Sequence, residues 1–269
     1  MNGNLSIKGT GFTAIFRHEL RVLFLAPLTY LFQGAFLLAL GACIFLIASF
    51  YTTDEATVRL LIVFVPWVSL VLIPALAMSA WSDGHSNREL ELIFSLPIKP
   101  ISVVLGKFAA GYSLLLLTLA MTFPFYLTVA YLGDPDPGVV FSSYLGCALF
   151  LGTCFAVALL AAAFLREPVG AFIAGIATLF TLTLFGWDVF GRFLGSLVPQ
   201  AIWEAITLYS PVTWLNVIGE GLIPVQGLIY FVLSAVVAIL LTHLIIASRR
   251  RGAFLGSHLL LVFFFLLAR

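Results

Sequence analysis

The chain has 269 residues, 62% of them hydrophobic and only 9% charged, with a net charge of +1. A soluble domain carries about 25% charged residues, so this composition, with a mean hydropathy of +1.15, excludes a water-soluble globule and leaves lipid as the solvent. A net charge of +1 gives no global electrostatic case for a nucleic-acid partner.

Met1–Gly11 is polar and has no apolar signal core, so the first membrane span is expected to act as its own insertion signal. Phe12–Phe24 places Phe12, Ile15, Phe16, Leu20 and Leu23 on one face at helical spacing, with Arg17, His18 and Arg21 largely opposite. This predicts an interfacial amphipathic helix, either a generic basic anchor or a specific contact element. Six segments without Lys, Arg, Asp or Glu reach the crossing length of about 20 residues. They are Leu28–Tyr51, Leu60–Trp81, Phe108–Leu132, Val139–Leu165, Val169–Trp187 and Val225–Ser248. Charges, prolines and glycines separate them, as in Thr52–Glu55, Gly133–Gly138 and Arg166–Pro168, and Pro168 suits the first turn of a helix. No internal repeat is present, and residues 1–269 read as one all-α membrane domain.

Three segments do not span. In Ser82–Lys107, Asn87–Leu96 reads as a short helix with Leu90, Ile93 and Phe94 clustered and Arg88, Glu89, Glu91 and Ser95 elsewhere, closed by Pro97 and Pro100. A charged helix with an apolar stripe suits the docking of a partner; the plainer alternative is a capped turn joining two spans. Asp188–Pro224 is long and rather apolar, contains Trp203, Tyr209 and Trp214, and is broken at Ser210-Pro211. It reads either as two pieces dipping into the outer leaflet, with their backbone satisfied by protein or water, or as a loop lying flat among interfacial aromatics. In the tail, even Ala253–Ala268 reaches only about 24 Å against a hydrocarbon core of roughly 30 Å. A surface or partner-packed helix is favoured there, with a thin or tilted seventh crossing as the alternative, and residues 253–268 are left unassigned.

Basic residues orient the chain. Lys8, Arg17, Arg21, Arg88, Lys99, Lys107, Arg166, Arg249, Arg250 and Arg251 collect on one side. The other side has Arg59 and Arg192, with Asp54, Glu55, Asp134, Asp136, Asp188, Glu204 and Glu220. Both ends of the six-span core are therefore expected in the cytoplasm.

The chemistry is sparse. No predicted span interior holds a carboxylate, lysine or arginine, which disfavours ion-coupled transport and intramembrane aspartyl proteolysis. His243, near one end of the last span, reads as a packing or interfacial residue. Gly106-Lys107 lacks the rest of a phosphate loop, since Ile101 and Phe108 stand where Gly and Ser or Thr are needed. Lys107 reads instead as an interface anchor at the start of a span. No HExxH, GxSxG or paired-carboxylate site appears. Cys43, Cys147 and Cys154 lie in apolar runs without a CxxC pair and read as small buried hydrophobes. No catalytic, cofactor or metal residue is expected in this chain. His18-Glu19 and Asp83-His85 are the only candidates for a lipid-modifying enzyme, and neither has a convincing partner.

Ala80–Ile98 followed by Leu105–Phe108 resembles the permeases of ABC-2 type transporters. The matching pieces are Glu89-Leu90-Glu91-Leu92, Ser95-Leu96-Pro97 and Leu105-Gly106-Lys107, with Asn87-Arg88 where the family often has Gly-Thr. Leu208–Trp214, Glu220-Gly221 and Gly227–Phe231 before a last span that closes on Arg249–Arg251 is similar to the gliding-motility branch. The resemblance covers most of residues 12–251. It implies six helices, an amphipathic N-terminal helix, a cytoplasmic coupling helix between spans two and three, and an outer re-entrant segment between spans five and six. It also implies a second permease subunit, identical or different, and separate ATPase subunits that carry the ATP and Mg²⁺, all in a bacterial cytoplasmic membrane. Asp83, Arg88, Glu89, Glu91 and Phe94 would form the ATPase contact, supported by Arg17 and Arg21. Gly170–Gly175 would serve either the subunit seam or ordinary helix packing. The alternatives are a non-transporting scaffold or mechanotransmission subunit driven by the same kind of ATPase and, less favoured, an intramembrane lipid-modifying enzyme.

Overall fold

Ten of twelve prolines fall in the segments described below, and proline opens five of the nine α-helices among the described residues. A computed structural model describes residues 10–47, 59–78, 80–81, 100–133, 135–165, 167–187 and 207–250. Among them every regular element is helical. Helix α1 (Thr10–Leu25) ends before Pro27, which opens α2 (Pro27–Ala42); α2 passes into a π-helical turn at Cys43–Ile47. Helix α3 (Arg59–Ala77) carries Pro66 and Pro74 inside it. Helix α4 (Pro100–Ala120) and α5 (Phe123–Leu132) share one apolar run. Helices α6 (Pro137–Phe164) and α7 (Pro168–Leu184) follow, then the short α8 (Pro211–Gly219) and the long α9 (Val225–Arg250). Five helices begin on proline, at Pro27, Pro100, Pro137, Pro168 and Pro211, and Pro124 is the second residue of α5. The missing N–H costs nothing there, because first-turn donors have no partner within the helix.

Five helical stretches are long and apolar enough to cross a membrane: Pro27–Leu46, Arg59–Ala77, Pro100–Leu132, Pro137–Phe164 and Val225–Ser248. They support a multi-pass membrane protein. The remaining predicted crossing, Val169–Trp187, is helical only as α7, whose 17 residues reach about 26 Å. Helix α7 stops where Gly186 comes against the Ser210 side chain, leaving no room for a Cβ.

The second span ends at Ala77, short of the expected Trp81, and the third departs furthest from the sequence expectation. The third span was expected to open at Phe108, outside Lys107, but the helix already begins at Pro100. It then breaks before Pro124, whose ring nitrogen cannot bond the Ala120 carbonyl. The Thr122 hydroxyl donates to the Leu119 carbonyl at 2.6 Å, and the Tyr144 hydroxyl of α6 donates to the Thr122 carbonyl at 3.3 Å. Side chains thus occupy carbonyls at the break, as lipid-embedded backbone requires.

Helix α6 is the hub. It packs against α3, α4, α7, α8 and α9, and every residue from Phe150 to Ala163 is buried. A helix apolar on all sides belongs in the middle of a bundle. Small residues let its neighbours close in. Gly111 of α4 faces the Phe155 ring, Gly152 faces the Tyr112 ring, and Gly146 faces Leu215 and Ile218 of α8. Side-chain bonds tie the hub to α4 and α9: the Tyr112 hydroxyl donates to the Ala148 carbonyl at 3.2 Å, and the buried Thr153 hydroxyl donates to the Phe231 carbonyl at 3.1 Å. Cys147 and Cys154 are buried in the same core, as expected of small hydrophobes.

Candidate functional site

Two ends of the bundle gather polar side chains into defined arrangements. At the first, Trp81 follows α3 and Pro100 opens α4. The segment that joins them, with Asp83, Arg88, Glu89, Glu91 and Phe94, lies outside the described residues, as do 253–268.

Helix α1 is clamped to α4 at this end. Ile15, 6% exposed, sits over Gly106, where a Cβ would come within 2.6 Å of its Cγ2. One turn on, Glu19 Oε1 accepts from Lys107 Nζ at 2.7 Å, with only 14% and 10% of the two side chains exposed. Lys107 Nζ also lies 5.7 Å from the ring centroid of Trp81, which is fully buried. The Trp81 Nε1–H finds no acceptor among the described residues. The arrangement has a clear order of causes. Glycine at 106 lets the helices approach, the approach desolvates Glu19 and Lys107, and in that low-dielectric setting each charge requires the other. The aromatic face of Trp81 adds a weaker attraction of about 0.5–2 kcal/mol for the ammonium. Lys107, read from the sequence as an interface anchor at the start of a span, is instead held in contact with α1. It lies inside a helix, and its charge is neutralised.

Arg17 and Arg21 take no part in this pair. Both are exposed and line a shallow groove on α1 with Leu20 and Phe24. Among the candidate enzyme residues, Glu19 is committed to Lys107 and His18 is exposed, while Asp83 and His85 lie outside the described residues. Among the described residues, no group of three or more His, Cys, Asp or Glu could hold a metal ion. The Glu19–Lys107 pairing was not anticipated. Its signal was present: Glu19 is the only acid in α1, and Lys107 follows a proline that starts its helix two turns earlier.

At the opposite end, residues 207–230 build an aromatic cap. Ser210 caps α8: its hydroxyl accepts from Val212 N–H at 3.3 Å and donates to the Leu182 carbonyl of α7 at 2.8 Å. Trp214 Nε1 donates back to the Leu208 carbonyl at 2.9 Å, and the Tyr230 hydroxyl donates to the Tyr209 carbonyl at 2.6 Å. The Trp214 and Tyr230 rings stack at 6.3 Å. Leu215 and Ile218 are fully buried against α6. Gly221, with φ +89°, supplies the left-handed turn out of α8. The Leu208–Trp214 motif is thus a self-bonded plug. Ser210→Ala is expected to lower stability by about 1–2 kcal/mol, since it deletes a helix cap and strips the Leu182 carbonyl of its donor. Thermal unfolding in detergent measures this; an unchanged midpoint would show that the plug does not depend on the cap.

The small-residue run of α7 divides. Gly175 abuts Pro74 of α3, so that a Cβ would lie 2.8 Å from the proline's, whereas Gly170 meets only Leu165, at 3.7 Å. Gly175 thus serves packing within the chain. No protein-family model matches the chain, and no curated protein matches it.

Proposed function

We propose that this chain is the transmembrane permease of an ABC-2 type transporter, moving its cargo outward on energy supplied by separate ATPase subunits. The observation that carries the reading is the clamp at one end of the bundle. Helix α1, helix α4 and Trp81 are joined by Ile15–Gly106 packing and the Glu19–Lys107 pair, and Trp81 and Pro100 bracket the segment that resembles a coupling helix. A push on residues 82–99 would reach α4 directly and α1 through the ion pair. Through α1 it would pass to α2, because the Tyr30 hydroxyl of α2 donates to the Phe24 carbonyl of α1 at 2.8 Å. Packed helices move as rigid bodies between discrete arrangements, so one lever can re-aim several spans.

In this reading α7 is the fifth of six crossings, α8 is part of the outer re-entrant segment, and the clamp faces the cytoplasm of a bacterial cell. Charge asymmetry supports that orientation. Two copies of the permease, or two related ones, would enclose the pathway. Glu89 and Glu91 would fix the register of the ATPase contact, and Phe94 would supply its buried apolar area.

The test is to purify the native complex and identify its nucleotide-hydrolysing companion. Glu89→Lys with Glu91→Lys should leave insertion and basal ATP hydrolysis intact and abolish the rise in hydrolysis on adding cargo. Purification without a P-loop ATPase, or labelling of residues 85–96 from outside the cell, would reject the assignment. An ATPase partner with no cargo movement would shift it to mechanotransmission.

A further inference from the structure

Arg17 and Arg21 are spaced one turn apart on α1 and exposed, and neither has an acidic partner among the described residues. The only acid of α1, Glu19, is held by Lys107, so the positive charge of the two guanidinium groups is uncompensated on their own helix. Between them lies a shallow groove completed by Leu20 and Phe24. Basic rim and apolar floor together match a molecule with an anionic head and a hydrocarbon body.

The neighbourhood fixes the depth of that groove. Immediately after it the surface turns apolar, with Leu25, Leu28 and Leu31 exposed at 79%, 63% and 68%. Tyr30 stands in the same stretch, its hydroxyl bonded to the end of α1, as suits a tyrosine at the headgroup level. Arg17 and Arg21 therefore sit at the edge of the apolar band, where lipid phosphates lie. A guanidinium presents a planar fork that matches a phosphate with two parallel hydrogen bonds.

We propose that Arg17 and Arg21, with Leu20 and Phe24, form a binding site for the head of an anionic phospholipid. The site needs only an embedded bundle, so it stands or falls independently of the permease reading. It gives the two arginines a lipid partner in place of the supporting role at the ATPase that the family resemblance implies.

The full chain, reconstituted in vesicles of phosphatidylcholine and phosphatidylglycerol in equal parts and extracted into detergent, would be examined by native mass spectrometry for retained lipid. Wild type should hold phosphatidylglycerol in excess over phosphatidylcholine. Arg17→Gln with Arg21→Gln should reduce that preference by roughly tenfold to thirtyfold, the effect of two basic groups at an anionic surface. Arg17→Lys with Arg21→Lys should keep most of it, which guards against misfolding as the cause. Arg249→Gln with Arg250→Gln removes the same charge elsewhere and should leave the preference intact. Equal loss in that control would overturn the site, since net charge would then explain it. So would displacement of the lipid by inorganic phosphate, which would mark a soluble-anion site. The proposal also fails if the glutamine pair keeps phosphatidylglycerol but loses the ATPase partner.

Discussion

Lys107→Glu is expected to destabilise the protein by about 3 kcal/mol, the cost of leaving a desolvated charge without its partner. The variant would place a second carboxylate beside Glu19, whose partner nitrogen now lies at 2.7 Å, and would remove the cation from the face of Trp81. Glu19→Lys should cost about as much, because it sets two ammonium groups together in the same dry contact. The double reversal, Glu19→Lys with Lys107→Glu, should recover about half of the loss or more. Full recovery is not expected, since the aromatic ring favours a cation only at position 107. A thermal-unfolding cycle of the four proteins gives the coupling energy. Additive losses would mean that the two side chains do not interact, and the clamp would reduce to the Ile15–Gly106 contact. In the permease reading the single reversals should also weaken coupling of ATP hydrolysis to transport in whatever fraction stays folded, because α1 would no longer follow α4.

Gly111→Ala should be the most damaging single methyl that can be added to the core. The new Cβ would overlap the Phe155 ring, which is 3% exposed and held by the stacked ring of Phe108, 6.0 Å away. A rigid ring wedged between two helices cannot yield as an aliphatic chain end can. Overpacking of this kind costs about 1–3 kcal/mol, and the upper part of that range is expected here. Phe155→Leu in the same chain should relieve the overlap, so that the double variant is more stable than the sum of its single losses predicts. Unfolding midpoints across the cycle decide it. Gly219→Ala provides the contrast: its nearest neighbour is the mobile end of Ile62, so it should cost well under half as much.

How legible the clamp was depended on the residue. Of the apolar face read from spacing, Ile15 is buried and Phe16, Leu20 and Leu23 are half-buried, whereas Phe12 is exposed and Leu20 also borders the groove beside Arg17 and Arg21. The basic side was clearer, and Arg17, His18 and Arg21 are all exposed. Lys107 was misplaced for an identifiable physical reason. A lone lysine beside an apolar run reads as a boundary, because an unpaired charge does not belong in a membrane helix. Its partner lies 88 positions earlier on another helix, and no local pattern reports a contact of that range. The break at Thr122 was also missed, since Pro124 sits in the run Phe108–Leu132, which no charged residue interrupts.

The amino-acid order by itself determined what the solvent must be and where five long apolar helices lie, whereas the sixth expected crossing is the 17-residue α7. The solvent and the five helices follow from composition and from proline, which act locally. α9 shows it most simply, since its apolar run Val225–Ser248 was bounded alike by sequence and by structure. Only the tertiary structure decided which helix lies at the centre, because α6, with a mean hydropathy of 2.4, is less apolar than its neighbours α3 and α9, at 2.6 each, and owes its place to the glycines and rings that fit around it. The same holds for the pairing of Glu19 with Lys107 and for the use of Gly175 inside the chain. Each depends on two helices meeting face to face, and that meeting is set by shape and desolvation across the fold.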